Sequence, residues 1–119
     1  MENQVKSNQE ILVTLGIEQL NPMQLDAIKS INDHANNMLL APTGSGKTLA
    51  FLLPILTLME FELSEIQTLI VVPTRELALQ IERVFRVMGT GFKVNAIYGG
   101  RTGQKDKIEL RQPPAILIG

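Results

Sequence analysis

Eight consecutive residues, Ala41-Pro42-Thr43-Gly44-Ser45-Gly46-Lys47-Thr48, combine the side chains and the backbone freedom that grip a phosphate. They fit the phosphate-loop pattern, with alanine in place of its first glycine. Gly44 and Gly46 let the backbone curl until successive amide hydrogens converge on one anion. A helix opening directly after the loop adds the positive end of its dipole. Lys47 is placed to reach the β- and γ-phosphates of a nucleoside triphosphate, and the Thr48 hydroxyl to hold Mg²⁺. Ala41, Thr43 and Ser45 complete the cradle. The plainer alternative is a glycine-rich strand-to-helix turn with a surface lysine, and the full octapeptide in that setting favours the cradle.

Three more segments carry residues of chemical interest: Asn21-Pro22-Met23-Gln24, Pro73-Thr74-Arg75-Glu76-Leu77-Ala78, and Gly99-Gly100. Two roles are open to Gln24. An amide can donate to one edge atom of adenine and accept from its exocyclic amine, a pairing guanine rejects. Equally, Asn21 followed three residues on by Gln24 is a capping box, in which Gln24 satisfies a backbone amide. In the second segment Thr74 suits a helix cap, and Glu76 in the first turn suits the dipole. Arg75 does not, because a cation at a helix N-terminus is misplaced unless it meets an anion, either a carboxylate or a nucleic-acid phosphate. Gly99-Gly100 permits close approach of a polynucleotide backbone at a sheet's carboxyl edge, or forms a tight turn. Arg101, Lys105, Lys107 and Arg111 follow; such a run serves more often as a solvated face than as specific contacts.

The elements that must position these residues alternate between short aliphatic runs and longer helical patterns. Pro22 takes the first position of a helix whose apolar face is Ala27, Ile28, Ile31 and Ala35. Met38-Leu39-Leu40 reads as a short buried strand leading into the loop. The helix after the loop carries Leu49, Leu52, Leu53, Leu56 and Met59 at helical spacing, with a kink expected at Pro54. Thr68–Val72 is the clearest strand. A second amphipathic helix places Leu77, Ile81, Val84, Phe85 and Met88 on one side and closes near Gly89. Strands are expected at Lys93–Tyr98 and Ala115–Ile118, with a short helix over 105–111. Strand and helix in alternation predict an α/β fold, a parallel sheet with helices covering both faces. The last strand has no helix after it, so the domain reads as cut short.

Composition narrows the field. The chain has 119 residues, 45% of them hydrophobic, which suffices for one small domain with a core and excludes disorder. With no cysteine and a single histidine, His34, thiolate zinc sites, disulfides, cysteine nucleophiles and histidine-pair metal sites are excluded. His34 reads as a loop or helix-end residue. The net charge is −1, but residues 1–91 carry 6 basic and 10 acidic groups while residues 92–119 carry 5 and 2. A polyanion would therefore meet the C-terminal portion. The apolar stretch Leu49–Phe61 is interrupted and too short for a bilayer, and the polar N-terminus lacks a secretory signal, so a soluble cytoplasmic protein is expected.

On Asn21–Gln24, Ala41–Thr48, Pro73–Ala78 and Gly99-Gly100, with their spacing, the chain resembles the DEAD-box family of ATP-dependent RNA helicases. Pro73–Ala78 is the most diagnostic of the four. The resemblance implies a RecA-like three-layer α/β fold, ATP and Mg²⁺ as cofactors, and RNA as partner. It implies that Lys47 and Thr48 serve catalysis, that Gln24 reads adenine, and that Pro73, Thr74, Arg75, Gly99 and Gly100 lie along the RNA backbone. One departure stands out. The family places an aromatic residue upstream of the glutamine to stack on adenine, whereas residues 1–50 contain no aromatic residue and Ser7 occupies the expected region. Discrimination between ATP and other triphosphates is therefore expected to be reduced.

The family's Asp-Glu-Ala-Asp and Ser-Ala-Thr strings do not occur, and the chain reaches Gly119 where a Thr-Pro-Gly-Arg segment would begin. Residues 1–119 are thus read as the N-terminal portion of a first helicase domain, inactive in hydrolysis on its own and prone to self-association through uncovered surface. Two alternatives stay open: an ATP- and RNA-binding module without catalysis, and another phosphate-loop helicase or translocase acting on DNA.

Overall fold

Helices and strands alternate along a computed structural model that describes residues 7–99 and 103–119. The order is α1 (Asn8–Leu15), α2 (Pro22–Asp33), α3 (Lys47–Leu58), β1 (Thr68–Ile70), α4 (Arg75–Met88), β2 (Val94–Ala96), α5 (Gly103–Glu109) and β3 (Ile116–Ile118). Contacts divide the chain into two units, one ending at Leu58 and one running from Met59 to Gly119. No helix among the described residues is long and apolar enough to cross a membrane.

The first unit is helical. Ser7 and Glu10 form a reciprocal capping box on α1, which ends at Gly16 in the left-handed region, φ +71°. Asn21 and Gln24 form a second box on α2, with Pro22 at its first position, as the spacing predicts. His34 closes that helix, its amide bonded to the Ser30 carbonyl at 2.9 Å. α2 packs on α3, whose Leu49, Ala50, Leu52, Leu53 and Leu56 are buried. α3 runs on through Pro54 to Leu58, so the proline does not end it.

The expected buried strand at Met38–Leu40 is absent. No strand forms there, and Met38 and Leu40 are 87% and 85% exposed. A strand of three residues has no hydrogen bonds of its own and persists only beside a partner. No described strand pairs with this one.

The second unit holds a parallel sheet in the order β1-β3-β2. The last strand in sequence is central, and Ile116 and Ile118 are accordingly fully buried. Strands occupy the expected regions but are shorter, three residues each. Single bonds extend the ladder at its ends, from the Val72 amide to the Gly119 carbonyl and from the Ile97 amide to the Ile118 carbonyl. α4 packs on β2 with Ala78, Ile81, Phe85 and Met88 buried, and ends at Gly89, φ +62°. Leu69 and Val71 stay exposed.

Candidate functional site

In the first unit the loop at residues 41–48 leads straight into α3, which begins at Lys47. Gly44 and Gly46 both lie in the left-handed region, φ +79° and +90°. Ser45 turns back on Pro42, its amide and hydroxyl both donating to that carbonyl at 3.3 and 2.6 Å. The Lys47 ammonium donates to the Ala41 carbonyl across the loop at 2.9 Å. Ala41, Ser45, Lys47 and Thr48 are half-buried, and Thr43 is exposed.

The α2 capping box reaches into this loop. Within the box, the Asn21 amide donates to Gln24 Oε1 and the Gln24 amide to Asn21 Oδ1, each at 2.9 Å. The same two side chains then donate outward, Asn21 Nδ2 to the Ser45 carbonyl at 2.9 Å and Gln24 Nε2 to the Gly46 carbonyl at 3.1 Å. Gly46 is required twice over. Beyond its positive φ, a Cβ there would lie 2.4 Å from Gln24 Nε2. The capping role weighed for Gln24 is therefore present, and at 5% exposure the side chain is buried against the loop. Asn21, read from the sequence as a cap alone, is a loop-holding residue that sequence reasoning missed. Its partner is 24 residues away, and nothing in local spacing marks it.

In the second unit the described residues expected to lie along an RNA backbone come together. Pro73, Thr74, Arg75 and Gly99 line one hollow of about 200 Å³, joined by Tyr98 and Gly119, which the sequence reading did not single out. Gly100 and Arg101 lie outside the described residues. Thr74 caps α4, its hydroxyl accepting from the Leu77 amide at 3.2 Å. Among the described residues, the carboxylate paired with Arg75 is that of Glu76, 3.9 Å away, with both side chains more than half exposed. Such a loose, solvated pair contributes little and leaves the guanidinium available to another anion.

The family model described as DEAD/DEAH box helicase matches residues 21–119. The chain belongs to that family. Among curated relatives, this DEAD/DEAH box chain is 40% identical over 113 residues to the ATP-dependent RNA helicase DeaD of Klebsiella pneumoniae, covering 92% of itself and 18% of that protein. It is 39% identical over 111 residues to the ATP-dependent RNA helicase DHH1 of Cryptococcus neoformans, covering 91% of itself and 18% of the relative. The chain thus spans about a fifth of the length of these relatives. Among solved structures, it is similar to the RNA helicase Prp28 of Chaetomium thermophilum bound to ADP, with a TM-score of 0.78 and 35% identity over 99% of this chain and 32% of that one. It is also similar to the Mycobacterium smegmatis helicase Lhr bound to ssDNA and AMP-PNP, with a TM-score of 0.74 and 30% identity over 89% of this chain and 15% of Lhr. The fold class is α/β, the RecA-like parallel-sheet plan of these helicases.

Proposed function

We propose that this DEAD/DEAH box chain is the N-terminal portion of the first domain of an ATP-dependent RNA helicase, and that it holds the triphosphate while the sheet edge holds the RNA backbone. The observation that carries the nucleotide half is the direction of the loop's peptide groups. In a trans peptide the N–H points opposite to the C=O. With the Ser45 and Gly46 carbonyls bonded to Asn21 and Gln24, the amides of Gly46 and Lys47 face away from α2. Both amides stand at the start of α3, where the positive end of the helix dipole adds to them, and this supports an anion site. Lys47 brings three donors, one of them on Ala41, and can turn from that carbonyl to phosphate oxygens at little cost.

Mg²⁺ keeps several waters and takes few protein oxygens, so the single Thr48 hydroxyl beside phosphate oxygens is a donor set that fits it. When bound, the ion would neutralise charge on the β- and γ-phosphates. Among the described residues no cluster of three or more carboxylate, histidine or cysteine groups exists. Lys47 alone cannot position a water, so this chain by itself binds nucleotide and turns it over near background.

For the RNA half, Pro73, Thr74 and Arg75 with Gly99 line a single hollow, which supports a sugar–phosphate contact at the carboxyl edge. Gly100 is likewise proposed to contact the RNA backbone. Calorimetric titration of the chain with ATP and Mg²⁺ tests the nucleotide half, with Lys47→Ala expected to lose binding and a parallel phosphate-release assay expected to stay at background. Lys47-dependent hydrolysis well above background would overturn the binding-only assignment of this chain. Binding to single-stranded RNA and DNA of one sequence separates the RNA reading from a DNA-translocase reading, with RNA expected to bind more tightly.

A further inference from the structure

The outer edge of β2 is occupied by side chains. No described strand lies beyond β2 in the order β1-β3-β2. Toward β3, the Lys93 carbonyl accepts from the Ala115 and Ile116 amides at 2.9 and 3.2 Å, and the Ile97 amide donates to the Ile118 carbonyl at 2.7 Å. Backbone groups alternate sides along a strand, so the Val94 carbonyl and the Ala96 amide face the other way. Both are met by α4. Arg86 Nη2 donates to the Val94 carbonyl at 3.2 Å, and the Ala96 amide donates to Glu82 Oε2 at 2.9 Å. The second Glu82 oxygen lies 3.6 Å from Arg86 Nε, one helical turn on. Two side chains of one helix thus meet two of the four backbone groups that Val94 and Ala96 turn outward, one as a donor and one as an acceptor, as a neighbouring strand would.

We propose that the Glu82–Arg86 pair is an edge guard that closes β2 to strand addition by a second copy of this chain, leaving β1 as the side on which the sheet can grow. An unguarded edge strand is a template for pairing between molecules. To pair through β2, a second copy would have to displace a charge-assisted bond and leave the partly buried Glu82 carboxylate without its amide. Ile81 and Phe85, buried against the sheet, fix the helix face that sets Glu82 and Arg86 beside the strand. The guard operates whatever the loop at residues 41–48 binds.

Residue-resolved amide exchange at Ala96, followed over protein concentration alongside light scattering, tests the guard in the whole chain. In the unaltered chain the protection of Ala96 is expected to be independent of concentration. In the swapped variant Glu82→Arg with Arg86→Glu, opposite charges keep their spacing, but a donor now faces the Ala96 amide and an acceptor faces the Val94 carbonyl. Exchange at Ala96 is then expected to quicken at least tenfold in dilute solution and to slow again with concentration as β2 pairs between copies. Glu82→Gln, whose side-chain oxygen still accepts, is expected to match the unaltered chain. If the swap does not fold by circular dichroism, Glu82→Ala carries the same expectations. Protection of Ala96 that rises with concentration in the unaltered chain would overturn the proposal. So would a swapped or Glu82→Ala variant whose Ala96 exchange is unchanged.

Discussion

Replacing Gly46 by alanine separates two demands on one position. The first is conformational: at φ +90° a residue with a Cβ is strained by about 1–2 kcal/mol. The second is spatial: the new Cβ would stand 2.4 Å from Gln24 Nε2 and 3.4 Å from its carbonyl carbon, so Gln24 has to leave. Its departure breaks the bonds to the Gly46 carbonyl and to the Asn21 amide, worth about 1 kcal/mol each. Gly46→Ala should therefore cost about 3–4 kcal/mol. Gly44→Ala is the control, because its φ is +79° but nothing lies within 4 Å of its Cβ. It should cost about 1–2 kcal/mol from strain alone. Urea unfolding followed by circular dichroism measures both. In a double-mutant cycle with Gln24→Ala, the penalty of Gly46→Ala should shrink by about 2 kcal/mol, because the side chain it displaces is already gone. Equal costs for the two glycine variants, or a cycle with no coupling, would refute the claim that Gln24 is wedged against the loop.

Three further outcomes are expected. Ser7 belongs to the α1 capping box and residues 1–50 hold no aromatic residue, so ATP should be preferred over GTP and CTP only weakly in competition titrations; strong ATP preference would contradict this. Arg75→Ala should weaken RNA binding about tenfold at low salt and lower the salt-dependence slope by about one, uniformly across sequences. No loss of folding stability should accompany it, since the guanidinium pairs only loosely with Glu76. With Met38, Leu40, Leu69 and Val71 exposed, the chain should self-associate at micromolar concentration, and a monodisperse monomer by light scattering would contradict that.

What could be read from the sequence depended on how local its cause was. Asn21, Pro22 and Gln24 announce the start of α2 because a capping box is a three-residue interaction. The strong apolar stripe of α4 and its closure at Gly89 are equally local. Met38–Leu40 misled because three aliphatic residues describe a strand only if a partner runs beside them, and partners are set by tertiary structure. The strands found at the expected places are short for the same reason, since a strand extends only as far as its partner pairs with it. The phosphate loop and the Pro73–Ala78 segment were visible as motifs. That Tyr98 and Gly119 share a hollow with Arg75 follows from the parallel register of three strands, which no spacing along the chain encodes. Glu82 and Arg86 look like an ordinary pair on a solvated helix face until β2 is placed beside them.

The capping role of Gln24 and its proposed contact with adenine do not compete. A carboxamide has two acceptor lone pairs and two N–H donors. Asn21 takes one lone pair of Oε1, and the Gly46 carbonyl takes one hydrogen of Nε2. One acceptor and one donor remain, and their order is fixed. Turning the amide over would set Nε2 against the Asn21 N–H and Oε1 against the Gly46 carbonyl, losing both bonds at once. An isolated glutamine can present either order to a base, whereas this one presents a single polarity. Adenine, with an exocyclic N–H beside a ring acceptor, matches that polarity, while guanine would bring an oxygen against Oε1. The box that starts α2 thus supplies the orientation on which any base recognition at Gln24 depends. Without an aromatic stack to hold the base, that polarity contributes little binding free energy, which is why only a weak preference for ATP is expected.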